Sequence, residues 1–585
     1  MPTISEKILA AKAGLKSVTA GEIVEAKVDY VMVNDVTGLP AFSVFDKLGA
    51  PPIAEISVLI PDHYVPNKDV ASAQQAKAMR EFARKYKIKN YFEVGRGGVC
   101  HQLMIEKGYV APGRLIVGAD SHTCSYGALG AFATGIGSTE AACAMASGEL
   151  WFKVPQTQKF TVDGRLGRYV MGKDVILHAI GDVGVDGSLY KTMEWYGSAI
   201  KSLPLSDRIT ISNMAIEAGA KAGIIPADKK VDEYLKGRVR GKYKAVYSDK
   251  DTEYSEEFEY DAKDIPCTIA EPFLPENAKA AAEVDVPIDQ AYLGSCTNGR
   301  IEDMRVAAKI LKGRKVNPSV RMLVVPATQD VMDKMIKEHL YEVFSKAGAF
   351  VSGPTCGACL GGYMGILAEG EVCVSSTNRN FIGRMGHKNS KVYLANPAVV
   401  AASAITGKIT DPNDIYRDTM AKRKGENQHL LASAQNAESD PNVGLQQRVR
   451  EISLREKAKY PQIFIDYACS YLANDKWKSA FDTLIAYGNN VRGQKQTDAF
   501  HDAAVCAALT AKSPENKPLN KEDLIALAKD LHAYNYYTDS QPMNLRAKLQ
   551  SKDRSAAKFF DSLITNAALL EGEKVILLKK YGVPK

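Results

Sequence analysis

The stretch Ala291-Tyr292-Leu293-Gly294-Ser295-Cys296-Thr297-Asn298-Gly299-Arg300 runs from a short apolar segment into a polar loop flanked by glycine, and a helical pattern follows over residues 301–311. Such an order predicts a strand, a tight turn and a helix. The same order recurs along the chain. Tyr30-Val31-Met32-Val33 ends at Asn34-Asp35, the apolar run 56–60 at Pro61-Asp62-His63, and the run 114–118 at Ala119-Asp120-Ser121-His122. Residues 322–325 and 373–375 read as two more strands, residues 71–86 as another helix, and Thr3-Ile4-Ser5-Glu6 as a capping box that opens the first one. Strands that alternate with helices predict an α/β architecture with largely parallel sheets. Ligands of such sheets bind beyond the C-terminal strand ends, where these polar residues stand.

Outward from that core, glycine divides the chain. Of 45 glycines, only Gly444, Gly488, Gly493, Gly572 and Gly582 follow residue 430, so the tight turns belong to the first part and the second reads as helices. The expected organisation is an α/β catalytic region over 1–430 with subdomains near 1–155, 156–285 and 286–430. A polar linker at 431–445 leads to an all-α extension over 446–585. Helical patterns fall at 446–458, 462–474, 477–487, 498–512, 520–535 and 551–579, with Asn520 and Asp523 as capping residues of the fifth.

Composition sets the outer limits. A chain with 45% hydrophobic and 24% charged residues has the balance of a globular protein, which excludes a disordered one. No segment holds the ~18 consecutive apolar residues of a membrane span, and the N-terminus lacks a basic, then apolar, leader. A net charge of +7 over 585 residues compels neither nucleic-acid nor membrane binding. Ten cysteines in a long chain without an export signal point to reduced thiols and a cytoplasmic location.

Three of those cysteines form the strongest chemical signal. Cys296 lies in the opening loop, and Gly353-Pro354-Thr355-Cys356-Gly357-Ala358-Cys359 follows about sixty residues later. Two thiolates on a tight loop and a third from a distance can converge on one metal centre. Zinc usually takes four ligands, and so does a cubane iron–sulfur cluster. A three-cysteine cluster would keep one iron open to act as a Lewis acid. A chance Cys-x-x-Cys or a redox pair is the competing reading.

Histidines and arginines gather around the same loops. His63 follows Asp62, His101 follows a Gly-Gly-Val-Cys run, and His122 follows Asp120-Ser121. A carboxylate beside a histidine fixes its tautomer and stabilises the imidazolium. Asn378-Arg379-Asn380-Phe381-Ile382-Gly383-Arg384 offers two guanidinium forks for an anion, or else a solvated turn. Asn213 and Glu217 share a face if their segment is helical. The glycine-rich run 127–137 lacks a G-x-G-x-x-G or Gly-Lys-Ser/Thr pattern and reads as close packing behind the Asp120–His122 loop.

The Gly-Ser-Cys-Thr-Asn-Gly-Arg and Gly-Pro-x-Cys-x-x-Cys segments, together with the histidine and arginine loops in the same order, resemble the aconitase superfamily. The similarity is strongest to the branch that holds the large subunits of 3-isopropylmalate dehydratase and the homoaconitases, and it runs from Thr3 to about residue 425. It implies a fold of three-layered α/β/α subdomains around one 4Fe–4S cluster, held by Cys296, Cys356 and Cys359 with Asn213, Asn298 and Asn378 as its neighbours. It pairs Asp62 with His63, His101 with Asp120, and His122 with Glu217 as catalytic groups. Ser121, Arg379 and Arg384 would bind substrate. Asn34 stands where aconitases proper carry Gln, which agrees with the dehydratase branch. Cys143, Cys267, Cys373, Cys469 and Cys506 are expected to be small core residues, and Cys100 and Cys124 keep a minor claim on the site.

The activity the resemblance implies is a hydro-lyase. It would isomerise 2-isopropylmalate and 3-isopropylmalate through an unsaturated intermediate, in leucine biosynthesis. Homoaconitate or dimethylmalate are alternative substrates, and an RNA-binding regulatory relative is an alternative of another class. Full-length aconitases add a domain that carries the base in a Gly-Ser-Ser-Arg-type turn, and this sequence has no such turn. A separate small subunit supplying that Ser and a further Arg is therefore the expected partner, with no nucleic acid or membrane.

Overall fold

The computed structural model describes residues 1–415, and within the remainder residues 480, 484, 485, 502–504, 506, 554–565, 570, 573, 576 and 577. The chain divides into two compact units, Met1–Ala421 and Lys422–Lys585.

Among the described residues the first unit carries three larger sheets and one two-stranded sheet. After the capped helix Ile4–Ala13 and a strand β1 (Ile23–Lys27), strands β2 (Tyr30–Asn34), β3 (Ser57–Ile60), β4 (Leu115–Gly118) and β5 (Phe132–Gly135) form an all-parallel sheet in the order β3-β2-β4-β5. Strand β1 pairs instead with β6 (Glu149–Lys153), antiparallel. The second sheet is also parallel, β10-β7-β8-β9, from β7 (Thr157–Asp163), β8 (Thr192–Tyr196), β9 (Ala222–Ile224) and β10 (Glu256–Asp261). The third comprises β11 (Thr268–Ala270), β12 (Ala278–Ala280), β13 (Gln290–Leu293), β14 (Arg321–Val324), β15 (Phe350–Val351), β16 (Val372–Ser375) and β17 (Lys391–Leu394). Its order is β12-β11-β17-β16-β13-β14-β15, and only the β12-β11-β17 edge is antiparallel.

Parallel sheets with both faces covered need strands that are apolar throughout. Val31, Met32 and Val33 in β2 and Leu115, Ile116 and Val117 in β4 meet that need and are fully buried. The helices expected at 71–86 and 301–311 fold as Val70–Lys85 and Ile301–Leu311. Strands β11 and β12, within 156–285, pair with each other and, through β11, with β17 of the third sheet. Three-residue strands carry too little pattern to reveal their partner.

In the second unit, the helix Arg554–Thr565 falls inside the expected 551–579 segment. Ala480, Leu484, Ile485, 502–504 and 506 are helical as well. The linker 431–445, the expected helices at 446–458, 462–474 and 520–535 with the Asn520/Asp523 cap, and Cys469 lie outside the described residues. Among the described residues no helix is long and apolar enough to cross a membrane.

Candidate active site

The C-terminal ends of the first and third sheets meet. Asp62-His63 follows β3, Asp120-Ser121-His122 follows β4, Ser295-Cys296 follows β13, and Ser376 to Arg379 follows β16. The contacts across that junction are specific. The Cys356 N–H donates to the Asp62 carbonyl at 2.8 Å and the Thr355 hydroxyl to the same oxygen at 3.2 Å. Arg379 Nη2 donates to Ser121 Oγ at 2.9 Å. Between the two edges lies a cavity of about 230 Å³. It is lined by Asp62, His63, His101, Asp120, Ser121, His122, Cys296, Cys356, Cys359, Arg379 and Arg384, with Val36, Val99, Cys100 and Leu360 as its remaining wall.

Two backbone features shape the cysteine loops. Ser295 has φ +82, a left-handed conformation uncommon for a residue with a side chain, and it turns the chain sharply between β13 and Cys296. Gly357 has φ +62, and a Cβ there would stand 2.1 Å from the Tyr292 hydroxyl, so only glycine lets Cys356 and Cys359 fold back over β13. The glycine-rich run does pack closely behind the histidine loop: a Cβ on Gly135 would meet the Asp120 carbonyl at 2.7 Å.

The structure brings each of the three expected histidine–carboxylate pairs into contact. His63 Nδ1 lies 2.6 Å from Asp62 Oδ1, His101 Nε2 lies 2.8 Å from Asp120 Oδ1, and His122 Nε2 lies 3.0 Å from Glu217 Oε1. Asp120 is the hub: the His63 Nε2 is 3.8 Å and the His122 Nδ1 3.5 Å from its oxygens, and the His122 N–H donates to it at 2.9 Å. His101 has both ring nitrogens engaged, the second with the Tyr126 hydroxyl at 3.1 Å. His63 lines the cavity, and its Nε2 has only the more distant Asp120 oxygen beside it.

Electrostatics follow from these neighbours. Burial opposes a charged His63 ring, but Asp62, Asp35 and Asp120 together outweigh it and push its pKa up to about 10, so the ring is an imidazolium at neutral pH. Burial likewise opposes charge on His122, and Glu217 and Asp120 raise its pKa. Asp120 is held well below the carboxylate range despite its burial, by His101 and His122. Burial pushes the Cys296 thiol up to about 12.

Arg379 donates from Nε to Glu217 at 2.8 Å and from Nη2 to Ser121, which fixes the plane of its fork. The buried Arg384 Nε has no hydrogen-bond partner among the described residues, which suits a donor awaiting an anion. The asparagines separate into two groups. Asn213 and Asn378 aim their amides at Cys296 Sγ from 3.3 Å and 3.4 Å, and the Cys359 thiol donates to Asn378 Oδ1 at 3.4 Å. Asn298 does not join them. Its amide donates to Asp303 at 3.0 Å and Thr210 at 3.3 Å, so it braces the loop from behind. Proximity in the motif carried no information on which way that side chain turned.

The donor set fits an iron–sulfur group better than a single ion. Among the described residues, the three-donor sets near enough to grip one ion are His101, Asp120 and His122, and Asp35, Asp62 and His63, in which histidines lie against carboxylates. The three thiols are no such set, yet they line one cavity and two buried amides face their sulfurs, as a larger body with several irons requires. The sequence reading gave no site role to Asp35 and noted Asn34 only for standing where aconitases proper carry Gln. Asp35 accepts N–H bonds from Asp62, His63 and Tyr64 at 3.0, 2.9 and 2.8 Å, and Asn34 donates to Asp120 at 3.3 Å while its oxygen caps the next helix. Their place at the end of β2 was the available signal. Cys100 lines the cavity, and the Cys124 thiol donates to the Asn213 carbonyl at 3.3 Å. Cys267, Cys373 and Cys506 are buried and Cys143 is half-buried.

Parallel sheets that bring cysteine, histidine and arginine loops to one cavity are what an aconitase-type enzyme requires. Residues 6–285 and 277–407 match the profile of the aconitase family (aconitate hydratase), and the chain belongs to that family. An iron–sulfur cluster goes with that membership. Among individual relatives, the 3-isopropylmalate dehydratase large subunit of Thermodesulfovibrio yellowstonii is 57% identical over 416 residues, covering 71% of this chain and 99% of that one. That of Caldicellulosiruptor saccharolyticus is 55% identical over 417 residues, covering 71% and 97%. The large subunit of Clostridium kluyveri is 54% identical over 416 residues, covering 71% and 99%.

Proposed function

We propose that this chain is the large subunit of a 3-isopropylmalate dehydratase, a 4Fe–4S hydro-lyase of leucine biosynthesis that works with a separate small subunit. The observation that carries the reading is the single cavity in which three thiols, the carboxylate-paired histidines and two arginines converge, in a chain 57% identical to such a subunit over 99% of its length. Cys296, Cys356 and Cys359 would hold the cluster, which supplies an electrophilic iron for the substrate hydroxyl.

The chain's own residues then have distinct tasks. Arg379, held flat by Glu217 and Ser121, and Arg384 take the substrate carboxylates as bidentate forks. His63, charged at neutral pH, holds a proton on Nε2 and gives it to the hydroxyl that departs as water. His101, with both nitrogens engaged, orients Asp120 rather than carrying the proton. A carbon-bound proton leaves to the small subunit's serine. Return of water and proton with the opposite regiochemistry completes the isomerisation. The Val36 and Leu360 wall of the cavity offers an apolar surface for an alkyl branch.

The test is anaerobic co-expression with a small subunit, followed by the ultraviolet absorbance of the unsaturated intermediate on adding 2-isopropylmalate. Growth of that absorbance, and iron and sulfide near four each per chain by the 4Fe–4S reading, are the expected results. A complex that hydrates only homoaconitate or dimethylmalate would move the assignment to those substrates.

A further inference from the structure

Lys173 is a buried charge that the reaction as described does not use. It occupies the second position of the helix Gly172–Val183 and is fully buried. Both circumstances disfavour a cation: burial strips its hydration, and a helix N-terminus repels positive charge. Among the described residues no carboxylate stands within ion-pairing distance of its ammonium. Nζ instead donates to the Ser376 carbonyl at 3.1 Å and to the Thr377 carbonyl. Burial drives its pKa down to about 7, and the Glu217 carboxylate is the largest influence opposing that fall. An apolar chain of the same length would fill the space at less cost, so the ammonium is retained for what it holds.

What it holds is the turn out of β16. The two carbonyls immediately precede Asn378, whose amide faces Cys296 Sγ at 3.4 Å, and Arg379, whose fork meets Glu217 and Ser121. A backbone segment leaving a strand end has few ladder bonds to fix it, and two donors from one side chain replace them. We propose that Lys173 is a positioning residue that clamps the Ser376 and Thr377 carbonyls and so presents Arg379 to a substrate carboxylate. The proposal rests on the functional reading above for the identity of that substrate, but the clamp itself does not.

The test uses Lys173→Met and Lys173→Gln in the full chain, alone and in complex with the small subunit. Gln keeps N–H donors for the carbonyls and loses the charge, whereas Met loses both. Backbone amide exchange over 376–384, measured on the chain alone, should quicken in the Met variant and stay near wild type in the Gln variant, with the other strands unchanged. In the complex, the KM for 2-isopropylmalate should rise about tenfold or more in Lys173→Met with kcat within about threefold, and the Gln variant should recover most of the loss. A Lys173→Met/Arg379→Lys double variant should be little worse than the worse single one, because both act through one guanidinium. Wild-type exchange and KM in a folded Lys173→Met protein would overturn the proposal. So would equal damage in the Met and Gln variants, or failure of both to fold, which would assign the lysine to charge or to the core. If the wild-type complex converts no substrate, the functional reading fails and the exchange result alone judges the clamp.

Discussion

The two compact units of this chain bury different chemistry. In Met1–Ala421 the interior is crowded with polar groups: Asp35, Asp62, His101, Lys173, Arg208, Asn213, Glu217, Asn378 and many others are sequestered from solvent. In Lys422–Lys585 the buried residues among those described are Ala480, Leu484, Ile485, Ala503, Ala504, Cys506, Ala556, Ala557, Phe560, Leu563, Leu570 and Leu577, with no polar side chain other than a thiol. Polar burial is costly unless every group is partnered, so a fold accepts it where chemistry demands it. By that criterion the chemistry lies in the first unit. The family profile agrees, since it stops at residue 407.

The contrast can be attacked most sharply through cysteine. Cys296→Ala, Cys356→Ala and Cys359→Ala should each abolish the brown colour and the activity of anaerobically purified protein, while Cys506→Ala, in the apolar unit, should change neither. A coloured Cys356→Ala protein would remove the three-thiol centre from the argument. Next in size is the acid. His63→Gln should lower kcat by about 100- to 10,000-fold, and the wild-type rate should lose its acid only as the pH nears about 10. The same shift has a stability sign. The folded ring binds its proton more tightly than an ordinary histidine of pKa 6.5, so the stabilisation is full below that value and drains away as pH rises toward about 10. Melting temperatures of wild type and His63→Gln should therefore converge at alkaline pH, and a gap that widens there would contradict the Asp62 pairing.

A smaller effect is expected from Arg379→Lys, which keeps the charge and loses the fork. Its kcat/KM should fall roughly 10- to 100-fold with little change in melting temperature. An unchanged kcat/KM would place Arg379 outside the substrate site. The smallest effect belongs to the second unit. A chain ending at Ala421 should still fold, assemble its cluster and, with the small subunit, turn over within about twofold of the full chain. A folded, coloured but inactive truncation would mean that the apolar unit takes part in docking or closure, and the division drawn here would fail.

Much of the first unit was readable before its structure, for a physical reason. In a parallel sheet the strand interior must be apolar and the C-terminal end polar, so His63, His122 and Cys296 announce themselves by following runs such as Ser57–Ile60 and Leu115–Gly118. The pairings of His101 with Asp120 and His122 with Glu217 came through family resemblance, since 19 and 95 residues separate the partners. Side-chain direction was not legible. Asn298 sits two residues from Cys296 and points away from it, whereas Asn213, more than eighty residues distant, touches its sulfur. Lys173 was equally silent, because a lysine at the start of a helix looks solvated until the neighbouring strand turn is laid against it.

Asp62 gathers more of the site than any ligand does. Its carboxylate takes the His63 ring and, at 2.7 Å, the Cys100 N–H, while its carbonyl takes the Thr355 and Cys356 donors. The His63 ring and the thiol loop thus hang from opposite ends of one residue. For anyone building new enzymes the site is therefore not modular: a cysteine pocket lifted onto another scaffold without this aspartate would arrive without its anchor and without the histidine beside it. Descent faces the same restriction, since a change at position 62 reaches the histidine ring and the thiol loop at once.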